Sequence, residues 1–306
     1  MKWCFSLFFL VHLFCASAQN VEGYVPVDQY QLYYQVYGKK GKPVLLINGG
    51  PGFSCRYLDE FAERLAKDMK RPVISFDPRG TGHSLVQPIS KRTVNLRNQI
   101  KDIEALRKHL NINKWDVIGH AYGGAIAMLY AEEYGEHVNK LVLSSSIGMN
   151  LDFVDPMLAN LNVRLSMAQQ EELNDIENAR KQGTVTKSKF YKKRFDLLAE
   201  VYVYDKTKVE EARNLIQLET DFNLDINQLL WDEMKLYKYD VSKKMKQFEN
   251  EVLILHGRQD VIGESVPLYS HDIFPNSTLV FFNKAGRYLW IDQPDLYFEH
   301  LEGFLN

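Results

Sequence analysis

The chain has 306 residues, 45% hydrophobic and 25% charged, a balance that suits one large globular domain or a domain carrying an insertion. A formal net charge of -2 and a pI of about 6.5 leave no basic footprint for nucleic acid and no acidic tail. Beyond the first 18 residues no stretch is apolar and long enough to span a membrane as a helix.

Residues 1–18 stand apart. Lys2 supplies a positive start, residues 5–14 form an apolar run, and Ala16-Ser17-Ala18 is a small-residue cleavage pattern. Together they read as a signal peptide cut after Ala18, which predicts a soluble, secreted or periplasmic protein; a buried N-terminal helix is the competing reading. Cys4 and Cys15 leave with the leader, so Cys55 is the one cysteine remaining and no intrachain disulfide can form.

Val- and Tyr-rich residues 21–38 alternate in places and predict a β-hairpin. The continuous apolar run 44–47 predicts a strand covered on both faces, followed by the loop Asn48-Gly49-Gly50-Pro51-Gly52. Leu58, Phe61, Leu65 and Met69 predict an amphipathic helix over 53–69. Residues 72–76 form the next buried strand, with the loop 77–84 after it. Leu96, Ile100, Ile103, Leu106 and Leu110 keep helical spacing over 93–110.

Residues 115–118 predict another buried strand. It runs into Gly119-His120-Ala121-Tyr122-Gly123-Gly124 and then a small-residue helix through Ala131. Strand, sharp glycine-flanked turn and helix is the context of a nucleophile elbow, G-x-S-x-G, whose middle residue is exposed on a strained turn. Glycines flank that residue because side chains there would meet the neighbouring strand and helix. Here the middle residue is Ala121.

A strand over 140–145 follows, and the rhythm then breaks. Residues 147–248 contain no convincing buried strand and carry helical patterns at 209–218 and 228–236, which predicts a helical cap. Strands at 251–256 and 277–282 and helices at 264–274 and 294–305 resume the alternation. Strands alternating with helices imply a mostly parallel, doubly wound sheet, built from residues 19–146 and 249–306.

In such a sheet, functional groups gather at the C-terminal ends of strands. The strand-end blocks NGGPG (48–52), FDPRGTGHS (76–84) and GHAYGG (119–124) resemble the HGGPG, DQRGxGxS and GxSxGG blocks of the proline iminopeptidase branch of the α/β-hydrolase fold. The resemblance extends from about residue 24 to 305, with the insertion in the family's cap position. It implies a nucleophile at position 121, where Ala121 stands; an acid after the seventh strand, where Asp260 fits; and a histidine after the last strand, where Arg287 stands. It further implies an oxyanion hole from the N–H groups of Tyr122 and Gly50. Cap carboxylates that hold a substrate amine would fall among Glu219, Asp221 and Glu233, beside Phe222 and Trp231; the competing reading of these charges is a solvated helical face.

Alanine has neither lone pair nor proton to offer, and arginine stays protonated with no acceptor. The expectation is therefore no covalent hydrolysis, with Arg287 paired to Asp260 and a cavity that binds a small molecule or peptide. The alternative is an active peptidase or esterase family member whose serine and histidine have been replaced. A working enzyme with another nucleophile ranks last: Ser54, Ser144, Ser145 and Ser146 sit on no elbow, and Cys55 reads as a buried structural thiol. His83 reads as solvated or backbone-bonded, His256 as a packing residue, and His120 as pointing away from the pocket. No set of His, Asp and Glu has metal-ligand spacing, and no cofactor is implied.

Overall fold

In the computed structural model, which describes residues 20–215 and 222–306, the apolar runs join one eight-stranded sheet. The leader reading over 1–18 and the carboxylates Glu219 and Asp221 lie outside the described residues. The strands are β1 (Val21–Val27), β2 (Tyr30–Tyr37), β3 (Val44–Ile47), β4 (Val73–Phe76), β5 (Trp115–His120), β6 (Val138–Ser144), β7 (Val252–Gly257) and β8 (Ser277–Phe282). Their spatial order is β1-β2-β4-β3-β5-β6-β7-β8. The β1–β2 hairpin lies antiparallel on one edge, and from β4 to β8 every neighbouring pair is parallel.

The two-residue period of a strand explains why continuous apolar runs were needed. Leu45, Ile47, Val117, Leu141 and Leu143 face one core, packed by Ile103 and Leu106 of α2 (Leu96–His109) and after them by Met128 of α3 (Tyr122–Tyr134). Val44, Leu46, Ile118, Val142 and Leu255 face the other, against Leu65 of α1 (Asp59–Met69) and Leu301 of a C-terminal helix. With both faces covered, neither set of alternate residues can be polar.

Helix limits follow local capping. Helix α2 begins at Leu96 because the Asn95 side chain accepts the Asn98 N–H at 2.8 Å. The predicted helix 53–69 is split: Cys55–Leu58 is one 3-10 turn and α1 proper starts at Asp59.

Between β6 and β7 the described residues hold helices and no strand of the sheet. These are α4 (Val154–Arg164), α5 (Met167–Lys181), α6 (Lys187–Tyr202), α7 (Val209–Asn214), α8 (Leu224–Leu236) and α9 (Ser242–Met245). The first of the two predicted cap helices is seen as Val209–Asn214, with residues 216–218 of the prediction outside the described residues, and the second starts earlier than residue 228 because Asn223 caps it, accepting from Asp225 and Ile226 N–H. The cap is pinned to the glycine loop: Asn223 N–H donates to the Gly52 carbonyl at 2.7 Å, and Asn227 Nδ2 to the Pro51 carbonyl at 2.8 Å. The chain closes with α10 (Ser265–Ile273), the short α11 (Leu289–Asp292) and α12 (Pro294–Leu305).

Candidate functional site

The turn after β5 has the geometry of an elbow. Ala121 has φ 55° and ψ -118°, a region that residues with a Cβ avoid, at a cost of about 1–3 kcal/mol. The flanking glycines are sterically required. A Cβ on Gly119 would lie 2.4 Å from the Gly123 carbonyl oxygen, and one on Gly123 would lie 2.3 Å from that of Ile47. Strand β3 and helix α3 therefore leave room for backbone alone on either side of the crest.

Ala121 is 5% exposed and lines a cavity of about 410 Å³ between the sheet's C-terminal edge and the cap. Gly49 packs beside it: a Cβ there would lie 3.2 Å from the Ala121 methyl. Gly50, with φ 134°, lines the same cavity. Tyr122 opens α3, so its N–H has no acceptor within the helix; its hydroxyl donates to Gln99 at 3.2 Å on the far side. Asn48 ties the loop from within, its Nδ2 reaching the carbonyls of Phe53 (2.8 Å), Gly49 (3.1 Å) and Ser54 (3.2 Å).

Asp260 and Arg287 meet at the wall of the cavity. Arg287 Nη1 lies 3.3 Å from each Asp260 carboxylate oxygen, with the two side chains 10% and 0% exposed. The contact is one nitrogen shared between two oxygens rather than a fork of two nitrogens. The Ile262 N–H donates to Asp260 Oδ1 at 3.1 Å. Burial pulls the Arg287 guanidinium down, but charge interaction with Asp260, then with the ionisable hydroxyls of Tyr202 and Tyr288, more than offsets it, so its pKa is raised. It is a cation at every ordinary pH and has no lone pair for a proton.

His120 requires a correction. The sequence reading turned it away from the pocket, yet it lines the cavity. As the last residue of β5 it shares the face of Ile118, and that is the face over which the chain after β8 folds. Its ring lies 4.8 Å from Trp290 and 5.9 Å from Tyr288, and its Nδ1 is 2.9 Å from the Tyr57 hydroxyl, which also takes the Gly49 N–H. Nε2 is buried without a partner among the described residues. Desolvation, then the Arg287 charge, holds the imidazole well below its ordinary pKa. His120 is a neutral brace for the glycine loop.

The other candidates occupy structural positions. His256 Nε2 bonds the Ile262 carbonyl at 2.9 Å, and burial lowers its pKa. His83 is exposed, its N–H on Asp77 at 2.7 Å. Cys55 is 2% exposed and burial pushes its thiol up, so it is no thiolate. Ser144 is held by the Tyr297 hydroxyl at 2.8 Å. Among the described residues no group of three or more His, Cys, Asp or Glu is placed to hold a metal ion.

Of the cap residues, Trp231 and Phe222 line the cavity. Glu233 does not: its Oε2 accepts the Leu96 N–H at 2.9 Å, neutralising an orphan donor in the first turn of α2. Glu219 falls outside the described residues. Sequence reasoning missed Tyr57, Arg180, Arg194, Tyr202 and Lys235, which also line the cavity. Nothing local marks the three cations, because exposed helical faces carry the same residues.

Residues 42–294 match the family model for the alpha/beta hydrolase fold. That is more than half of the chain, and the chain belongs to this family. Within it, the protein is proline iminopeptidase-like. It is 25% identical over 296 residues to a proline iminopeptidase of Lactobacillus helveticus, covering 94% of this chain and 98% of that one. It is 26% identical over 301 residues to one of Clostridium botulinum, covering 93% and 98%. Among solved structures, the proline iminopeptidase of Mycobacterium smegmatis superposes with a TM-score of 0.72 at 16% identity, covering 93% of this chain and 97% of that one. An alpha/beta fold family hydrolase of Bacillus anthracis gives 0.74 at 20%, covering 94% and 99%. These two likenesses are of fold alone.

Proposed function

We propose that this protein is an exported binding protein on a proline iminopeptidase-like scaffold, without serine-type turnover while Ala121 and Arg287 stand. The observation that carries the reading is the pairing at the cavity wall: Arg287 Nη1 sits 3.3 Å from both Asp260 oxygens, while a methyl occupies the elbow crest. Acyl transfer needs an oxygen or sulfur nucleophile and a base to take its proton. A methyl supplies no nucleophile, and a guanidinium engaged with its carboxylate is a static ion pair instead of a proton relay. Without triad members, about 10³–10⁴-fold over water is what an oxyanion hole and binding alone sustain. The cavity volume of about 410 Å³ is in the range of small-molecule sites.

A second reading has its own support. The crest keeps the strained backbone, φ 55°, that an active elbow uses, and Asp260 is still buried in the acid's place. On that reading the chain descends from an active peptidase or esterase by replacement of two residues.

Two measurements test these readings. A fluorophosphonate probe should leave the unaltered protein unlabelled; stoichiometric labelling would overturn the first reading. Ala121→Ser with Arg287→His should then be assayed on Pro-β-naphthylamide and p-nitrophenyl esters. Recovered cleavage would favour the second reading, and a silent double variant that still binds ligand would favour the first. Export is checked by N-terminal sequencing of protein recovered outside the cytoplasm, which should begin at Gln19.

A further inference from the structure

Resting on the reading of the cavity as a binding site, we propose that its occupant is an amphipathic carboxylate, an apolar acid whose anionic end is held by cap cations. Four cations from four separate segments converge on the one cavity: Arg180 of α5, Arg194 of α6, Lys235 of α8, and Arg287 from the loop after β8. No aspartate or glutamate lines it among the described residues.

Two of these charges are already matched. Arg287 faces Asp260, and Arg194 Nη1 lies 3.4 Å from Glu177. The other two have no ion-pair partner among the described residues. Arg180 lies with its guanidinium 4.7 Å over the Phe190 ring and donates to the Tyr191 hydroxyl at 3.3 Å, which holds the fork in place and leaves its charge uncancelled. Lys235 projects from the last turn of α8 as a free ammonium.

Much of the rest of the wall is aromatic or aliphatic, with Asn227, His120 and tyrosines among it. Phe53, Phe195 and Phe222 pack against one another at 4.8–5.3 Å, and Trp231 stands 6.4 Å from Phe153. Water is displaced from such rings by an alkyl or aryl body, while an unmatched guanidinium and an unmatched ammonium on the same wall favour an anionic end. A substrate amine, which the family resemblance implies, would meet like charge here. The one described carboxylate that resemblance offers, Glu233, is spent on the Leu96 N–H. Charge arranged this way discriminates partners by repulsion as well as attraction.

The test is calorimetric titration of the unaltered protein with decanoate and with decylamine, at neutral pH and low salt. Decanoate should bind at least tenfold more tightly than decylamine, and its affinity should fall as salt is added. Arg180→Glu with Lys235→Glu should remove or invert that preference. The single exposed change Lys235→Glu should weaken decanoate several-fold, and it guards against misfolding of the double variant. Equal affinities, or a preference for the amine, would overturn the carboxylate inference and leave the binding reading standing. No binding of either probe would overturn the carboxylate inference, and the binding reading would then stand or fall with the ligand and restoration tests of the proposed function. Hydrolysis of p-nitrophenyl decanoate by the unaltered protein would overturn the absence of turnover without touching the charge preference.

Discussion

Replacing Asp260 with alanine leaves the Arg287 guanidinium in the wall with no counter-charge. Asp260 is fully buried and Arg287 is 10% exposed at the cavity wall, so solvent replaces little of the lost carboxylate. Removing one partner of a buried pair costs about 3–5 kcal/mol, because the survivor stays desolvated and unmatched. At an unfolding entropy of about 2.1 cal/mol/K per residue, a chain of this length loses roughly 1.6 °C for each kcal/mol, so Tm should drop by roughly 5–8 °C. Differential scanning calorimetry of Asp260→Ala, Arg287→Met and the combined Asp260→Ala/Arg287→Met supplies the cycle. The combined variant should lose less than the sum of the single changes by about 0.5–3 kcal/mol, since no charge is then stranded. A Tm loss for Asp260→Ala equivalent to less than about 1 kcal/mol, the level of an exposed pair, would refute the reading of Asp260 and Arg287 as a coupled, buried unit.

Two buried histidines set a pH dependence. His120 and His256 both have folded pKa values held below the ordinary 6.5 by burial, so under acid conditions the unfolded chain binds protons that the folded chain refuses. Stability is therefore highest above about pH 6.5 and falls as pH drops through that value, by up to about 1.4 kcal/mol per pH unit for each group. Tm measured from pH 7.5 to 5 should decline, and His120→Asn should flatten the slope; a slope unchanged by that substitution would remove His120 from the account. Glu233→Ala should cost about 1 kcal/mol by freeing the Leu96 N–H, and should leave the affinity for amines and acids in the cavity unchanged. A clear change in amine affinity would return Glu233 to a ligand-binding role.

The sheet, its flanking helices and the elbow were legible from local pattern. Runs such as Val44–Ile47 and Val252–Gly257 have to bury both faces, and that requirement is written in consecutive apolar residues. The glycines at 119 and 123 were readable for the same reason: backbone atoms within 2.4 Å of a notional Cβ permit no other residue. The expectation that Ala121 stands in a nucleophile's place and Arg287 in a histidine's rests on the order of the strand-end blocks along the chain.

The composition of the cavity was not local in this sense. Arg180, Arg194, Lys235 and Arg287 share no spacing and no motif, and each resembles a solvated charge on its own element. Glu233 read either as a pocket carboxylate or as a solvated charge until the docking of α8 against α2 set it on the Leu96 N–H. His120 looked turned away until the chain after β8 came over the face that Ile118 also occupies. Chemistry that depends on one residue's position along its own strand or turn survives in the linear order. Chemistry that depends on which distant segments share a wall arises only when the cap docks on the sheet and brings their charges together.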